Sequence, residues 1–224
     1  MNIDAKELSK IYGEGENQIT ALDHVSLKIM EGDFISIMGP SGSGKSTLLH
    51  LLSGLDRPTF GSLSYDGKEI YNLSDRELSA FRRKHIGFIF QQFNLLPVLT
   101  ARENILMPLL LDRRQPDEGY LEQLVKLLGI HDRMNHLPYQ LSGGQQQRVA
   151  IVRALIADPE VIFADEPTGN LDSKSGGEVM EMLKTINKGM KKTLVIITHD
   201  NRVAAMADRQ LSIVDGILTE VISQ

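Results

Sequence analysis

Apolar positions along this chain switch between a period of two and a period of three to four. Val25, Leu27 and Ile29 alternate with polar neighbours and predict a half-buried strand; Glu31-Gly32 then turns the chain into Asp33 to Met38, a second strand. A glycine-rich loop and a helical run follow. Ser74 with Glu77 three residues on has the spacing of a capping box, and Leu78 and Phe81 begin an apolar face, so a short helix is predicted there. Ile86 to Phe90 reads as a buried strand. From Gln91 to about Ala157 the pattern turns helical: Leu121, Leu124, Val125 and Leu128 fall on one face, and Gly129 stands where that helix should end. Residues 91–150 are therefore expected to form an inserted, mostly helical subdomain within a single domain spanning 1–224.

Further on, Val161 to Ala164 is a continuous apolar run between Pro159 and an acidic pair, as in a strand buried on both faces. Val179, Met182, Leu183 and Ile186 share a helical stripe, and Leu194 to Ile197 is the next buried strand. Asp215-Gly216 between Leu211–Val214 and Ile217–Val221 signals a hairpin. Strands alternating with helices give an α/β fold with a mostly parallel sheet.

Composition narrows the function classes. At 224 residues the chain suits one large domain, or one domain carrying an insertion. Its 24 Lys and Arg against 29 Asp and Glu leave a net charge of −5, which argues against nucleic acid as a partner. The absence of cysteine removes disulfides, thiolate metal sites and cysteine nucleophiles. MNIDAKELSK lacks the basic and apolar regions of a secretory signal. The longest apolar run, Ile105 to Leu111, includes Pro108 and is far short of the roughly 20 residues that span a bilayer.

The glycine-rich loop carries the first chemistry. Gly39 to Thr47 reads GPSGSGKST, which satisfies G-x-x-x-x-G-K-[ST] with a strand before it and a helix after it. Gly42 and Gly44 let backbone N–H groups approach phosphate oxygens, Lys45 supplies a mobile cation, Ser46 is placed to ligate Mg²⁺, and the helix N-terminus adds its positive end. A plain turn joining strand to helix is the competing reading, and the agreement of spacing, lysine, hydroxyl and context outweighs it. The motif specifies a nucleotide phosphate but not the work done on it.

Asp165 and Glu166 close a buried strand, at the end of an α/β sheet where ligands collect. Asp165 is in position to hold Mg²⁺, and Glu166 to polarise water as a general base. Two carboxylates after a strand are more often a solvated turn, but a phosphate loop in the same chain reverses that preference. His199, just beyond another buried strand, is either a structural residue or a contact to a γ-phosphate. Ser142-Gly143-Gly144-Gln145, after Leu141, opens a helix bearing Val149, Val152, Leu155 and Ile156; it is either a simple cap or a second anion site.

Taken in order, GPSGSGKST, a glutamine after FIF, LSGGQ, VIFADEP, GNLD and a late histidine resemble the ATP-binding cassette (ABC) ATPases over nearly the whole chain. FQQFNLLPVLTARENI, LSGGQQQRVAIVRAL and ADEPTGNLD are similar to the LolD, MacB and FtsE-like group. The resemblance implies a P-loop NTPase (RecA-like) core with an N-terminal antiparallel β subdomain and an inserted α-helical subdomain. It implies hydrolysis of ATP with Mg²⁺ by a membrane-associated transport subunit. Gly39, Pro40, Ser41, Gly42, Ser43, Gly44, Lys45, Ser46 and Thr47 would cradle the phosphates, with Tyr12 stacked on adenine. Ser46, Asp165 and Gln91 would serve the metal; Glu166, His199 and Gln91 would serve catalysis. Gln92 is an equally placed alternative to Gln91. Ser142, Gly143, Gly144, Gln145 and Asp172 would reach the nucleotide of a second copy in a head-to-tail homodimer.

The same resemblance implies two integral-membrane permease subunits of the MacB or FtsX type, an extracytoplasmic accessory protein acting through them, and a place at the cytoplasmic face of the cell membrane. Leu95, Leu96, Val98 and Leu99 are expected either to form the docking groove for that permease or to belong to the subdomain core. An ATPase subunit of a polar amino-acid importer and a soluble, non-transport ABC ATPase are the alternative functions. A phosphate-loop kinase is a third, in which LSGGQ would have no role.

Overall fold

The computed structural model describes residues 1–221, the side chain of Glu16 excepted. Two sheets organise the chain. An antiparallel four-stranded sheet has the order β2-β1-β4-β5, built from β1 (Ile3–Tyr12), β2 (Ile19–Ile29), β4 (Phe60–Tyr65) and β5 (Lys68–Glu69). A six-stranded sheet runs β10-β9-β3-β8-β7-β6, from β3 (Phe34–Met38), β6 (Ile86–Ile89), β7 (Val161–Asp165), β8 (Thr193–Ile197), β9 (Arg209–Val214) and β10 (Ile217–Glu220). All its pairings are parallel except the β9–β10 hairpin, which turns at Asp215-Gly216 with both residues at positive φ.

The apolar runs of the parallel strands divide residue by residue between the sheet's two faces. Ile35, Ile37, Val161, Phe163, Val195 and Ile197 pack toward α1 (Lys45–Leu52) and the antiparallel sheet. Phe34, Ile162, Ala164, Leu194 and Ile196 pack in a second core with α3 (Ala101–Leu111), α4 (Glu118–Leu127), α5 (Gly143–Leu155) and α6 (Ser173–Met190). Burial on both faces explains why these strands show no alternation in sequence. Each fully buried Ile, Leu or Phe contributes about 1.5–3 kcal/mol of transfer free energy.

Local signals work as read in the sequence. Ser74 and Glu77 form both halves of the capping box that opens α2 (Asp75–His85). The α4 stripe ends at Gly129, φ +61°. A last short helix, α7 (Asn201–Ala204), follows β8.

Residues 91–100 depart from the helical reading. Leu95, Leu96, Val98 and Leu99 mimic helical spacing, but Pro97 disfavours a helical Leu96. Phe93 and Asn94 are left-handed, and α3 starts only after Thr100, whose capping box with Glu103 sets the boundary. The buried Asn104 side chain holds the preceding loop through the Leu96 N–H and the carbonyls of Leu96, Leu99 and Thr100.

Candidate functional site

Adjacent strands place the chemistry. Ile37 of β3 and Asp165 of β7 both pair with Ile197 of β8, so the loops that follow these three strands share one edge of the sheet. There a cavity of about 440 Å³ is lined by Gly39, Ser41, Gly42, Gly44, Lys45, Ser46 and Thr47, by Glu166 and His199, and by Ala21 from the antiparallel sheet.

The loop is shaped for close approach. Gly44 precedes α1 at φ +103°, and a Cβ there would lie 2.3 Å from the Ala21 carbonyl oxygen. Gly42, φ +79°, faces open space within the cavity. Both conformations favour glycine. The Lys45 ammonium donates to the carbonyls of Gly39 (2.9 Å) and Pro40 (2.7 Å), so the cation is held inside the loop. Ser43 Oγ is buried without a hydrogen-bond partner among the described residues. The first-turn amides of α1, free of intrahelical partners, complete an anion-binding cradle.

Asp165 ends β7 beside this cradle. Burial pushes its carboxyl above the usual range, opposed by a hydrogen bond from Ser46, while the charge of Glu166 adds to the upward push. Ser46 and Asp165 thus present a hydroxyl and a sheltered carboxylate side by side, a hard-oxygen set that fits Mg²⁺ better than a softer metal. Among the described residues no cluster of three or more His, Cys, Asp or Glu forms a metal cage. Phosphate oxygens and water would supply the remaining ligands, as is usual for Mg²⁺.

Glu166 adopts a left-handed conformation, φ +45°, and its N–H donates to the Ile197 carbonyl. Its Oε1 lies 3.0 Å from Nδ1 of His199. The loop after it is tied to α5 where Gln147 Nε2 donates to the Pro167 carbonyl at 2.6 Å. A sheltered carboxylate facing a phosphate cradle, with an imidazole in contact, has the arrangement to accept a proton from water at one side and to donate to a phosphate at the other.

Tyr12 lies outside the lining of that cavity. Its hydroxyl donates to Asp56 (3.0 Å), and the Lys10 ammonium sits 4.9 Å from the ring centroid. Lys10 also bonds Asp56 at 2.8 Å. Burial raises the Tyr12 phenol, helped by Asp56. Burial would also raise Asp56, but Lys10, the Arg57 N–H and Tyr12 together hold its carboxyl below the usual range. Lys10 and Asp56 were not picked out from the sequence; 46 residues separate them, and no local pattern joins them.

Gln91 and Gln92 part company. Gln91 is half-buried against the loop after Glu166: Asn170 Nδ2 donates to its carbonyl at 2.9 Å, and its side-chain amide lies so near Gly169 that a Cβ there would be 2.7 Å away. Gln92 is exposed.

Ser142, Gly143, Gly144 and Gln145 line no part of the phosphate cavity of their own chain. Ser142 caps α5 in a reciprocal capping box with Gln145. Gly143 and Gly144 pack beside Leu171 and Ser175. Asp172 caps α6 by accepting from Ser175 and Lys174, and these bonds, Ser175's first, hold its carboxyl below the usual range. These residues form a second group that does not line the cavity of Lys45 and Glu166.

Of the proposed docking residues, Leu95 packs on the core, while Leu96 and Val98 are exposed. An apolar cavity of about 310 Å³ lies elsewhere, lined by Leu55, Ile86, Phe88, Met107, Leu111 and Arg153 among others. No helix among the described residues is long and apolar enough to cross a membrane.

A family profile described as "ABC transporter" matches residues 22–169. An uncharacterised ABC transporter ATP-binding protein of Methanocaldococcus jannaschii is 51% identical over 99% of this chain and 100% of its own length. The lipoprotein-releasing system ATP-binding protein LolD of Geobacter metallireducens is 44% identical, covering 96% of both chains. The macrolide export ATP-binding/permease protein MacB of Bdellovibrio bacteriovorus is 46% identical over 96% of this chain, which spans only 33% of that longer protein. The dimeric, ADP- and Pi-bound post-hydrolysis structure of the ATP-binding cassette MJ0796 superposes with a TM-score of 0.88 at 44% identity, covering 99% of this chain and 100% of that one.

Proposed function

The chain belongs to the ABC transporter ATP-binding family, and from that premise we propose that it hydrolyses ATP at sites shared between two copies and drives a separate membrane permease. One observation carries the shared site: the phosphate loop faces Glu166 and His199 across one cavity, while Ser142–Gln145 stand outside it with their helix end turned to no nucleotide site of their own chain. Identical subunits satisfy both halves by a two-fold arrangement in which each copy lends its signature helix to the other's nucleotide. The dimeric cassette relatives support this reading.

In this reading ATP binding draws Lys45 away from the Gly39 and Pro40 carbonyls and onto the β- and γ-phosphates, and the backbone from Ser41 to Thr47 wraps the same groups. Tyr12 supports the base from the antiparallel sheet. Ser46, Asp165 and the Gln91 side chain would hold Mg²⁺, which would neutralise charge on the phosphate oxygens. Glu166 accepts the proton of the attacking water. His199 contacts the γ-phosphate, and its interaction with Glu166 fixes the spacing between base and phosphate. Asp172 reaches the partner's site from the cap of α6, next to the signature. Loss of the γ-phosphate removes the charge that joins the copies, and the interface opens.

The permease is a separate subunit pair that brings the chain to the cytoplasmic face of the membrane. The LolD and MacB relatives support a permease of that kind. We assign its contact to the apolar cavity between α2, β6 and α3, because Leu55, Leu110 and Leu111 are exposed at or beside it and Arg153 on its wall bonds the segment that follows Gln91. ATPase measurement with Mg²⁺, for the wild type and Lys45→Ala, tests the function. A kcat/KM for ATP left at the wild-type value by Lys45→Ala would place the chemistry elsewhere.

A further inference from the structure

The turn after β6 has a costly shape, and one side chain reinforces its backbone bonds. Phe93 and Asn94 are consecutive non-glycine residues in the left-handed region, φ +59° and +50°. That region is disfavoured by the Cβ, most of all for a bulky residue such as Phe. Arg153, on α5, spans both: Nη2 donates to the Phe93 carbonyl at 2.7 Å and Nη1 to the Asn94 carbonyl at 2.5 Å. The planar fork of a guanidinium matches two adjacent acceptors, and a lysine ammonium cannot reproduce that match.

The dependence runs both ways. Burial pushes the Arg153 guanidinium below its usual range. Among the described residues its side-chain hydrogen bonds go to these two carbonyls. Opening the turn would strand a desolvated cation, and removing the cation would leave the left-handed pair to its own backbone bonds, from the Phe93 N–H to the Phe90 carbonyl and from the Asn94 N–H to the Gln92 carbonyl.

What the turn touches gives the clamp its meaning. Gln91, two residues before Phe93, is fixed from its other side by Asn170. The Phe93 ring reaches the signature, where a Cβ on Gly143 would lie 3.8 Å from its Cζ. Arg153 itself lines the 310 Å³ cavity with Met107 and Leu111 of α3. One side chain therefore meets the cavity, the Gln91 turn and the signature helix.

We infer that Arg153 is a positioning residue, which holds the Phe93–Asn94 turn closed and thereby fixes Gln91 and the first turn of α5 relative to each other. The inference rests on the roles proposed above for Gln91 and the signature. Arg153 touches no reacting atom and acts through the turn. Because the clamp forms part of the cavity wall, a body filling the cavity acts on the clamp directly, and the turn reads its presence.

The experiment compares the full chain with Arg153→Lys, Asn94→Gly and the double variant. Readouts are kcat and KM for Mg-ATP, the Kd of a fluorescent ATP analogue, and amide exchange over residues 90–96. Arg153→Lys is expected to lose about tenfold to a hundredfold in kcat through misplacement, with analogue Kd within about twofold and faster exchange confined to the turn. Asn94→Gly removes the left-handed penalty at one position, so the double variant should recover part of the lost kcat, which a generally damaged fold would not do. Wild-type kcat and exchange in Arg153→Lys, or a parallel loss of kcat and analogue binding that Asn94→Gly leaves untouched, would overturn the inference. A wild-type chain without ATPase activity would instead count against the proposed function, and the exchange data would still decide whether the clamp exists.

Discussion

Nδ1 of His199 lies 3.0 Å from Oε1 of Glu166, and the imidazole is largely exposed while the carboxylate is sheltered. The contact joins the loops after β8 and β7 at the mouth of the phosphate cavity. It makes the two residues separable by experiment. Glu166→Gln keeps a hydrogen-bonding partner for His199 but removes the base, and turnover is expected to fall about 10²–10⁴-fold with ATP still bound. His199→Ala leaves the base without its contact, and a smaller loss, about tenfold or more, is expected. Steady-state ATPase rates beside equilibrium nucleotide binding check both.

Lys45 is expected to matter for binding before it matters for turnover. Its ammonium is bonded to two loop carbonyls, which compete weakly with phosphate. Lys45→Ala should weaken ATP binding by about tenfold to a hundredfold, the worth of one charge-assisted contact. Titration calorimetry gives the ratio directly, and unchanged affinity would contradict the placement of the phosphates.

Asp165 links metal binding to pH. Its carboxyl is raised above the usual range by burial first. A raised acid contributes stability below its unfolded pKa, near 3.9, and loses that contribution as pH rises through the folded value. At neutral pH the ionised side chain therefore works against the unliganded fold. Asp165→Asn is expected to raise Tm without nucleotide at pH 8, with the gain shrinking toward pH 4.5, and to abolish the Mg²⁺ dependence of nucleotide binding. Thermal scans at the two pH values, with and without Mg-ATP, check the sign.

Tyr12 is held by a pair that the sequence did not reveal. Because Lys10 and Asp56 fix the phenol and cover the ring, Asp56→Ala should raise KM for ATP several-fold and leave kcat within about twofold. Tyr12→Ala should raise KM by about tenfold or more, the typical worth of one base stack.

Most of the parallel core could be read from sequence, because strands buried on both faces are continuous apolar runs and capping boxes mark helix starts locally. The phosphate loop and Glu166 were legible for a similar reason: their chemistry lies in contiguous residues. β4 escaped notice, since in FGSLSY only Leu63 and Tyr65 are buried. Residues 91–100 misled because Leu95, Leu96, Val98 and Leu99 copy helical spacing while Pro97 and the left-handed pair forbid the helix. The Arg153 clamp and the Lys10–Asp56–Tyr12 set were invisible for a deeper reason: each joins residues distant in sequence, the first through two backbone carbonyls and the second through the Asp56 carboxylate, which leaves no periodic trace.

The shared site is tested most directly by the mass of the slow-hydrolysing chain. Sedimentation of Glu166→Gln with Mg-ATP should show a dimer that retains two ATP per dimer, and the dimer should be lost when Ser142→Arg is added to the same chain. A species that remains monomeric at high protein concentration while binding ATP one-to-one would contradict a nucleotide site completed by a second copy.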